Sequence, residues 1–178
     1  MIDHKFGVLL GPMSSLEKSQ PYEWRNDPSI YKWCRQYEPL DYTDHLKWFD
    51  SLPGRKDIKM YAIWTPDQKF AVGVCGLTDI DLINRKAEFS LYIAPDYQKR
   101  GYGEAALNTL CMHGFYTLGL QHIFGETFDG NLAAKMFEKV GFKKEGTRRK
   151  FYFRDGAFID AHLYSMLLEE YVRKWKLD

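Results

Sequence analysis

Apolar and polar residues alternate most cleanly in the stretch ending at Ala94, where Ala87, Phe89, Leu91 and Ile93 share one face and Glu88, Ser90 and Tyr92 the other. A period of two is that of a half-buried strand. Two stretches rich in β-formers precede it, Ile58 to Thr65 and Lys69 to Leu82. Pro66-Asp67-Gln68 and Asn84-Arg85-Lys86 supply the turns between the three, and strands joined so tightly pair antiparallel. After Gly101 the period becomes helical. Ala105, Leu107, Leu110, Cys111 and Phe115 recur at steps of three and four up to about Leu118.

The flanks read less regularly. Lys5 to Leu10 predicts a short strand, and Ser14-Ser15 can cap a helix towards Trp24, with Pro21 limiting its regular part. Pro28 can start a helix over Ser29 to Gln36, and a third short helix is expected from Thr43 to Leu52. Beyond the long helix, Ile123 to Phe128 reads as a strand. Asp129-Gly130-Asn131 leads into a helix with Leu132, Met136, Phe137 and Val140 inward. Phe142 onward is β again, Arg154-Asp155-Gly156 turns a hairpin, Phe158 to Leu167 returns, and Glu169 to Lys176 closes as a helix. The order predicts an α/β (α+β) fold with a largely antiparallel sheet.

Composition narrows the function classes. The chain has 178 residues, is 45% apolar and 28% charged, and holds no repeat or linker, so a single domain over 1–178 is expected. Its net charge of +1 offers no global field for nucleic acid or anionic membranes, so a bound phosphate has to be held locally. Arg148-Arg149-Lys150 reads as a solvated hairpin face. Cys34, Cys75 and Cys111 are odd in number and far apart, which argues against disulfides and suits a reducing cytosol. The five histidines show no ligand spacing, so no metal is expected. Nothing in the chain reads as a signal peptide or membrane span, and a cytoplasmic protein is the expectation.

Gln98-Lys99-Arg100-Gly101-Tyr102-Gly103-Glu104 lies between a strand and a helix. Glycines there let a ligand approach the backbone, and the first amides of a helix have no intrahelical partners. Together with the helix dipole and the charges of Lys99 and Arg100 they make an anion site, although a plain glycine-rich helix start has the same sequence. Gly101, Gly103, Ala106 and Glu126 also satisfy a dinucleotide fingerprint. That motif belongs in the first turn of a parallel sheet of buried apolar strands, whereas this one follows helices and hairpins.

The stretch Glu88 to Leu110, with its Q-x-x-G-x-G, resembles the acyl-CoA loop of the GNAT superfamily of N-acetyltransferases. Asn131 to Phe142, running into E-K-x-G-F, is similar to that superfamily's second signature. Arg154-Asp155-Gly156 with Asp160 and Leu163 to Leu167 resembles the branch of Rim-type protein N-terminal acetyltransferases. Trp24-Arg25-Asn26 with Lys32-Trp33 resembles relatives that acetylate aminosugar nucleotides. The resemblance implies a strongly bent sheet whose strand Glu88 to Ala94 splays from Ile123 to Phe128 and admits the pantetheine arm of acetyl-CoA. It implies that Ile93 pairs with that arm and supplies an amide for the oxyanion, and that the amides from Gln98 to Glu104 hold the pyrophosphate. Asn131 is a candidate pantetheine contact, shifted by one position from the pattern, and equally an N-cap.

An alkyl amine with a pKa of about 10.4 is mostly ammonium at pH 7, and freeing it costs roughly 4–5 kcal/mol. Glu88 is the candidate general base, because alternation sets it opposite Phe89 and Leu91 and the Rim-type branch has a Glu in this strand. A strand glutamate paired with Arg85 or Lys86 is the structural alternative. The resemblance expects a tyrosine acid four residues before Gly141, where this chain has Phe137. Tyr92, Tyr116 and Cys111 are the remaining acid candidates. Arg25 and Asn26 are expected to face a small-molecule amine acceptor, unless Arg25 bonds carbonyls at a helix end. An aminosugar nucleotide is the first acceptor expected, a protein N-terminal amine the second, and a polyamine the third, with Asp41, Asp44 and Asp50 as its acidic cluster. A non-catalytic acyl-CoA-binding module is the other class, and a homodimer is compatible with everything in the chain.

Overall fold

The three β-rich stretches form the antiparallel meander that the alternation predicts. In the computed structural model, which describes residues 1–4 and 6–176, they are β3 (Lys59–Trp64), β4 (Ala71–Asp81) and β5 (Lys86–Ile93). Before them, β1 (Ile2–His4) and β2 (Val8–Pro12) make a hairpin: β2 is the expected strand begun three residues later than its pattern suggests, and β1 is a strand the pattern does not predict. Lys5, where that pattern starts, lies outside the described residues. After them come β6 (His122–Phe128), β7 (Lys143–Arg154) and β8 (Ala157–Leu167). The eight strands form one sheet in the order β1-β2-β3-β4-β5-β6-β8-β7, antiparallel except for β5 and β6.

Helices cover both faces. On one lie α1 (Ser19–Asn26), α2 (Pro28–Tyr31) and α3 (Tyr42–Ser51), with Phe49, Leu16, Val74 and Tyr92 packed together. On the other lie α4 (Tyr102–Met112), α5 (Ala133–Val140) and α6 (Leu168–Trp175), over a larger core that includes Leu77, Phe89, Leu110, Ile123, Phe137 and Tyr171. Ala87 and Phe89 face this larger core while Tyr92 faces the smaller one, as the period of two requires.

Two expected helices are corrected. Ser15 caps nothing in α1; its hydroxyl donates to the Pro12 carbonyl in a 3₁₀ turn, and α1 starts later, with Pro21 in its first turn. α2 is one turn long instead of reaching Gln36. Asp27 caps it by accepting from the Ser29 N–H at 2.8 Å, and Pro28 sits at its first position, but residues 32–41 run irregularly to α3. The long helix continues past α4 as a π turn, His113–Thr117.

Candidate active site

The parallel pairing of β5 with β6 is short. It runs from Lys86 opposite His122 to Glu88 opposite Phe124, and beyond it the strands part. The direction of the freed backbone follows from the other neighbour. The Ala94 N–H donates to the Val72 carbonyl at 2.9 Å, so Ala94, Tyr92 and Ser90 alternate as the residues bonded across to β4. The main-chain groups of Phe89, Leu91 and Ile93 therefore point into the opening. On β6, past its last pair with β5, the Thr127 hydroxyl is buried and has no hydrogen-bond partner among the described residues.

The loop expected to hold a phosphate lies at the end of this opening. The Gln98 side chain donates to the Ile93 carbonyl at 3.1 Å and ties the loop to the strand. Lys99 and Gly101 both have positive φ, 59° and 86°, which turns the chain into α4. From Lys99 to Glu104 no main-chain N–H donates to any described residue, and the first bond of the helix is Ala105 N–H to the Gly101 carbonyl. Gly103 lies in the first turn against α5, where an added Cβ would meet the Met136 sulfur at 3.0 Å. Arg100 stacks over the Tyr97 ring, and Glu104 pairs with Lys139 of α5 at 2.6 Å. Tyr102 packs edge-on to Tyr97. A bent run of unbonded amides at a helix N-terminus fits the diphosphate of a coenzyme A.

Glu88 is buried on the opposite side of the strand from Phe89, but neither Arg85 nor Lys86 is its partner. Arg35, from the irregular segment after α2, grips both its oxygens, one at 2.9 Å. The same guanidinium donates from Nε to Glu126 of β6 at 2.7 Å. Glu126 also accepts from Arg148 at 3.1 Å and from the Tyr152 hydroxyl, both on β7. Burial and the bond to Glu126 push Tyr152 up to about 12. The Arg35 guanidinium is held above its ordinary value by both glutamates, against the opposing effect of burial. Arg148 lies on the exposed hairpin face expected for it and at the same time joins this cluster through Glu126. Arg154 lies over the Tyr37, Phe128 and Tyr152 rings and donates to the Cys34 and Arg35 carbonyls.

Other candidate residues are placed differently from expectation. Both halves of the Asn26 amide bond the Leu40 main chain, at 2.7 and 3.3 Å, so Asn26 holds the loop and keeps one N–H and one oxygen lone pair beyond those bonds. Arg25 is half-buried beside Cys34 and Tyr92 and has no carboxylate partner among the described residues. Burial raises the Cys34 thiol, and Arg25 offsets part of that rise. The Asn131 side chain accepts from the Ala133 N–H at 3.0 Å, in a turn one residue ahead of Leu132, which is the cap position of α5. Asp41, Asp44 and Asp50 line no shared pocket: Asp41 caps α3, Asp44 pairs with Lys47 and Asp50 with Lys18.

The acid candidates fare no better. Cys111 is sealed in the core and raised well above its ordinary value by burial, and burial also raises Tyr92. Tyr116 is half-exposed at the π turn. Phe137 packs on Phe89, Phe142 and Tyr164. Arg35 and Tyr152 stand out by no local pattern, and Glu126 and Arg154, which do belong to short motifs, give no sign in the sequence of meeting in this cluster. Among the described residues no group of His, Cys, Asp and Glu converges on a metal site, and no helix is long and apolar enough to cross a membrane.

Residues 8–143 match the profile of the acetyltransferase (GNAT) domain. The chain is 29% identical over 102 residues to the uncharacterized N-acetyltransferase YoaA of Bacillus subtilis (strain 168), covering 57% of this chain and 58% of that protein. It is 30% identical over 108 residues to the spermidine N(1)-acetyltransferase of Vibrio cholerae serotype O1, covering 60% of this chain and 62% of that protein. The chain thus spans about three fifths of the length of these two relatives. The crystal structure of spermidine N-acetyltransferase from Vibrio cholerae, in complex with CoA and spermine, superposes with a TM-score of 0.84 at 22% identity over 93% of this chain and 98% of that one.

Proposed function

The chain belongs to the GNAT acetyltransferase family, and from that premise we propose that it transfers the acetyl group of acetyl-CoA to a primary amine of a small molecule. The observation that carries this reading is the open edge of β5, with the Ile93, Leu91 and Phe89 backbone aimed into the splay, unbonded amides at its end and a buried carboxylate beside it. Acetyl-CoA, the donor used by this family, supplies the activated thioester. The amides from Lys99 to Glu104 hold its diphosphate, and the Ile93 N–H lies where the pantetheine arm or the acetyl oxygen can accept from it. Glu88 takes a proton from the ammonium as the nitrogen bonds the acetyl carbon. The carbon–sulfur bond breaks, and the second proton lost by the nitrogen is matched by the one the departing thiolate gains. With Phe137 in place of a hydroxyl acid, the thiolate leaves unaided, as a thiol of pKa about 8.5 can.

Among acceptors a polyamine now comes first. The Glu88–Glu126 pair is already a seat for a cation, and a relative is named for spermidine. Nothing comparable favours the aminosugar nucleotide: Asn26 already holds the Leu40 main chain. A second reading rests on Arg25, whose unmatched guanidinium would suit an amine that also carries a carboxylate or phosphate. The test is release of free thiol from acetyl-CoA with spermidine, an amino acid, an aminosugar nucleotide and a peptide amine. Turnover with one of these is expected. Thermal stabilisation by CoA with no turnover on any of them would leave only a binding module.

A further inference from the structure

Glu88 and Glu126 stand on the two strands at the point where those strands part. Their side chains are 10% and 4% exposed, whereas the Arg35 side chain bridging them is 51% exposed. Two acids on rigid strands are thus capped from the solvent side by one cation belonging to an irregular segment. The two acids are not equally dependent on it. Glu126 keeps Arg148 and Tyr152 if Arg35 leaves, while the Glu88 carboxylate has no other side-chain partner among the described residues.

The main chain at this point is pinned separately. Arg154 donates to the Cys34 and Arg35 carbonyls at 3.3 and 2.7 Å, and Tyr37 bonds Asp155 at the hairpin tip. The guanidinium can therefore swing out by rotation of its own side chain while the loop stays in place, a rapid motion for a half-exposed residue. What opposes the swing is Glu88, left as a buried unpaired charge unless another cation replaces Arg35.

We infer that Arg35 is the resident counter-ion of the acceptor seat: without acceptor, its guanidinium fills the place on Glu88 that the acceptor's ammonium takes, and the acceptor binds by exchanging with it. The inference rests on the acetyltransferase reading and deepens it. Charge on the seat is conserved through the exchange, so the amine enters protonated and delivers its proton to the carboxylate that receives it. A neutral molecule cannot make the exchange without stranding Glu88. Arg35 is on this account a positioning and specificity residue whose occupancy raises the apparent dissociation constant of every acceptor.

The test uses Arg35→Ala and Arg35→Gln with acetyl-CoA and the best amine of the panel. Emptying the seat is expected to lower the KM for that amine about tenfold, the factor for a seat filled nine-tenths of the time, with the KM for acetyl-CoA unmoved. Added methylguanidinium should then inhibit Arg35→Ala competitively against the amine and not against acetyl-CoA, and inhibit the unmodified protein much less. An unchanged or higher amine KM would overturn the inference. So would methylguanidinium that restores the variant's activity or melting temperature without competing with amine, or failure of both variants to fold, since each marks Arg35 as a structural cross-link. If the unmodified protein and both variants bind CoA but acetylate nothing, the acetyltransferase reading itself has failed. An active enzyme with an unmoved amine KM sinks only the exchange.

Discussion

Glu88 is buried by its place in β5 and paired by a residue 53 positions away, and the two facts bear on different quantities. As the proposed base it acts on the acceptor, while the groove proposed for the coenzyme is made of backbone and loop amides that its side chain does not touch. Glu88→Gln keeps the shape and removes the proton acceptor. Turnover is expected to fall by about tenfold or more, within the usual range for acid–base groups, with CoA affinity nearly intact. Steady-state kinetics and a separate CoA titration measure the two, and full turnover in the variant removes Glu88 from the mechanism. Phe137 teaches a converse lesson. Its ring centroid lies 4.9 Å from that of Phe89, 5.6 Å from that of Tyr164 and 6.2 Å from that of Phe142, so the position that could carry a hydroxyl acid is instead a core contact.

At the scale of the element, the turn into α4 depends on Gly101. Its φ of 86° is a conformation that costs an L-residue roughly 1–2 kcal/mol. No atom lies within 4 Å of the place where a Cβ would stand, so Gly101→Ala strains the backbone without a clash. That variant should fold with stability lowered by about 1–2 kcal/mol and bind CoA more weakly, because the amides either side of residue 101 are re-aimed. Denaturant melts and a CoA titration check both parts, and an unaltered CoA affinity would show that the loop does not hold the diphosphate. Asn131 works at the same scale: its oxygen accepts from the Ala133 N–H in the turn that leads into α5, the helix that carries Phe137 and Met136.

Across the whole molecule, the smaller layer under α1 and α3 carries a pH dependence of its own. His45 is buried, with a ring nitrogen 2.8 Å from the Lys18 carbonyl, and burial lowers its pKa from 6.5 despite that bond. The unfolded chain therefore takes up the proton more readily. Stability is fully present above about 6.5 and is lost as pH falls through the depressed folded value. His45→Gln, which keeps a donor for Lys18, should flatten this limb in urea melts taken from neutral pH downward, and an unchanged limb would assign the acid sensitivity elsewhere.

The order of the elements from β2 onward, the meander of β3 to β5, the faces of β5 and the glycine-bearing loop before α4 were legible in the chain, because periodicity, turn residues and helix starts act over a few positions. The short α2 was not, since nothing local marks where residues 32–41 leave the helix. The cluster at the splay was further out of reach. Arg35 meets Glu88 and Glu126 across 53 and 91 positions, and Asn26 bonds the Leu40 main chain 14 positions away. Ion pairing and the parting of two strands are decided by which surfaces packing brings together, and neither leaves a repeat or a spacing in the sequence.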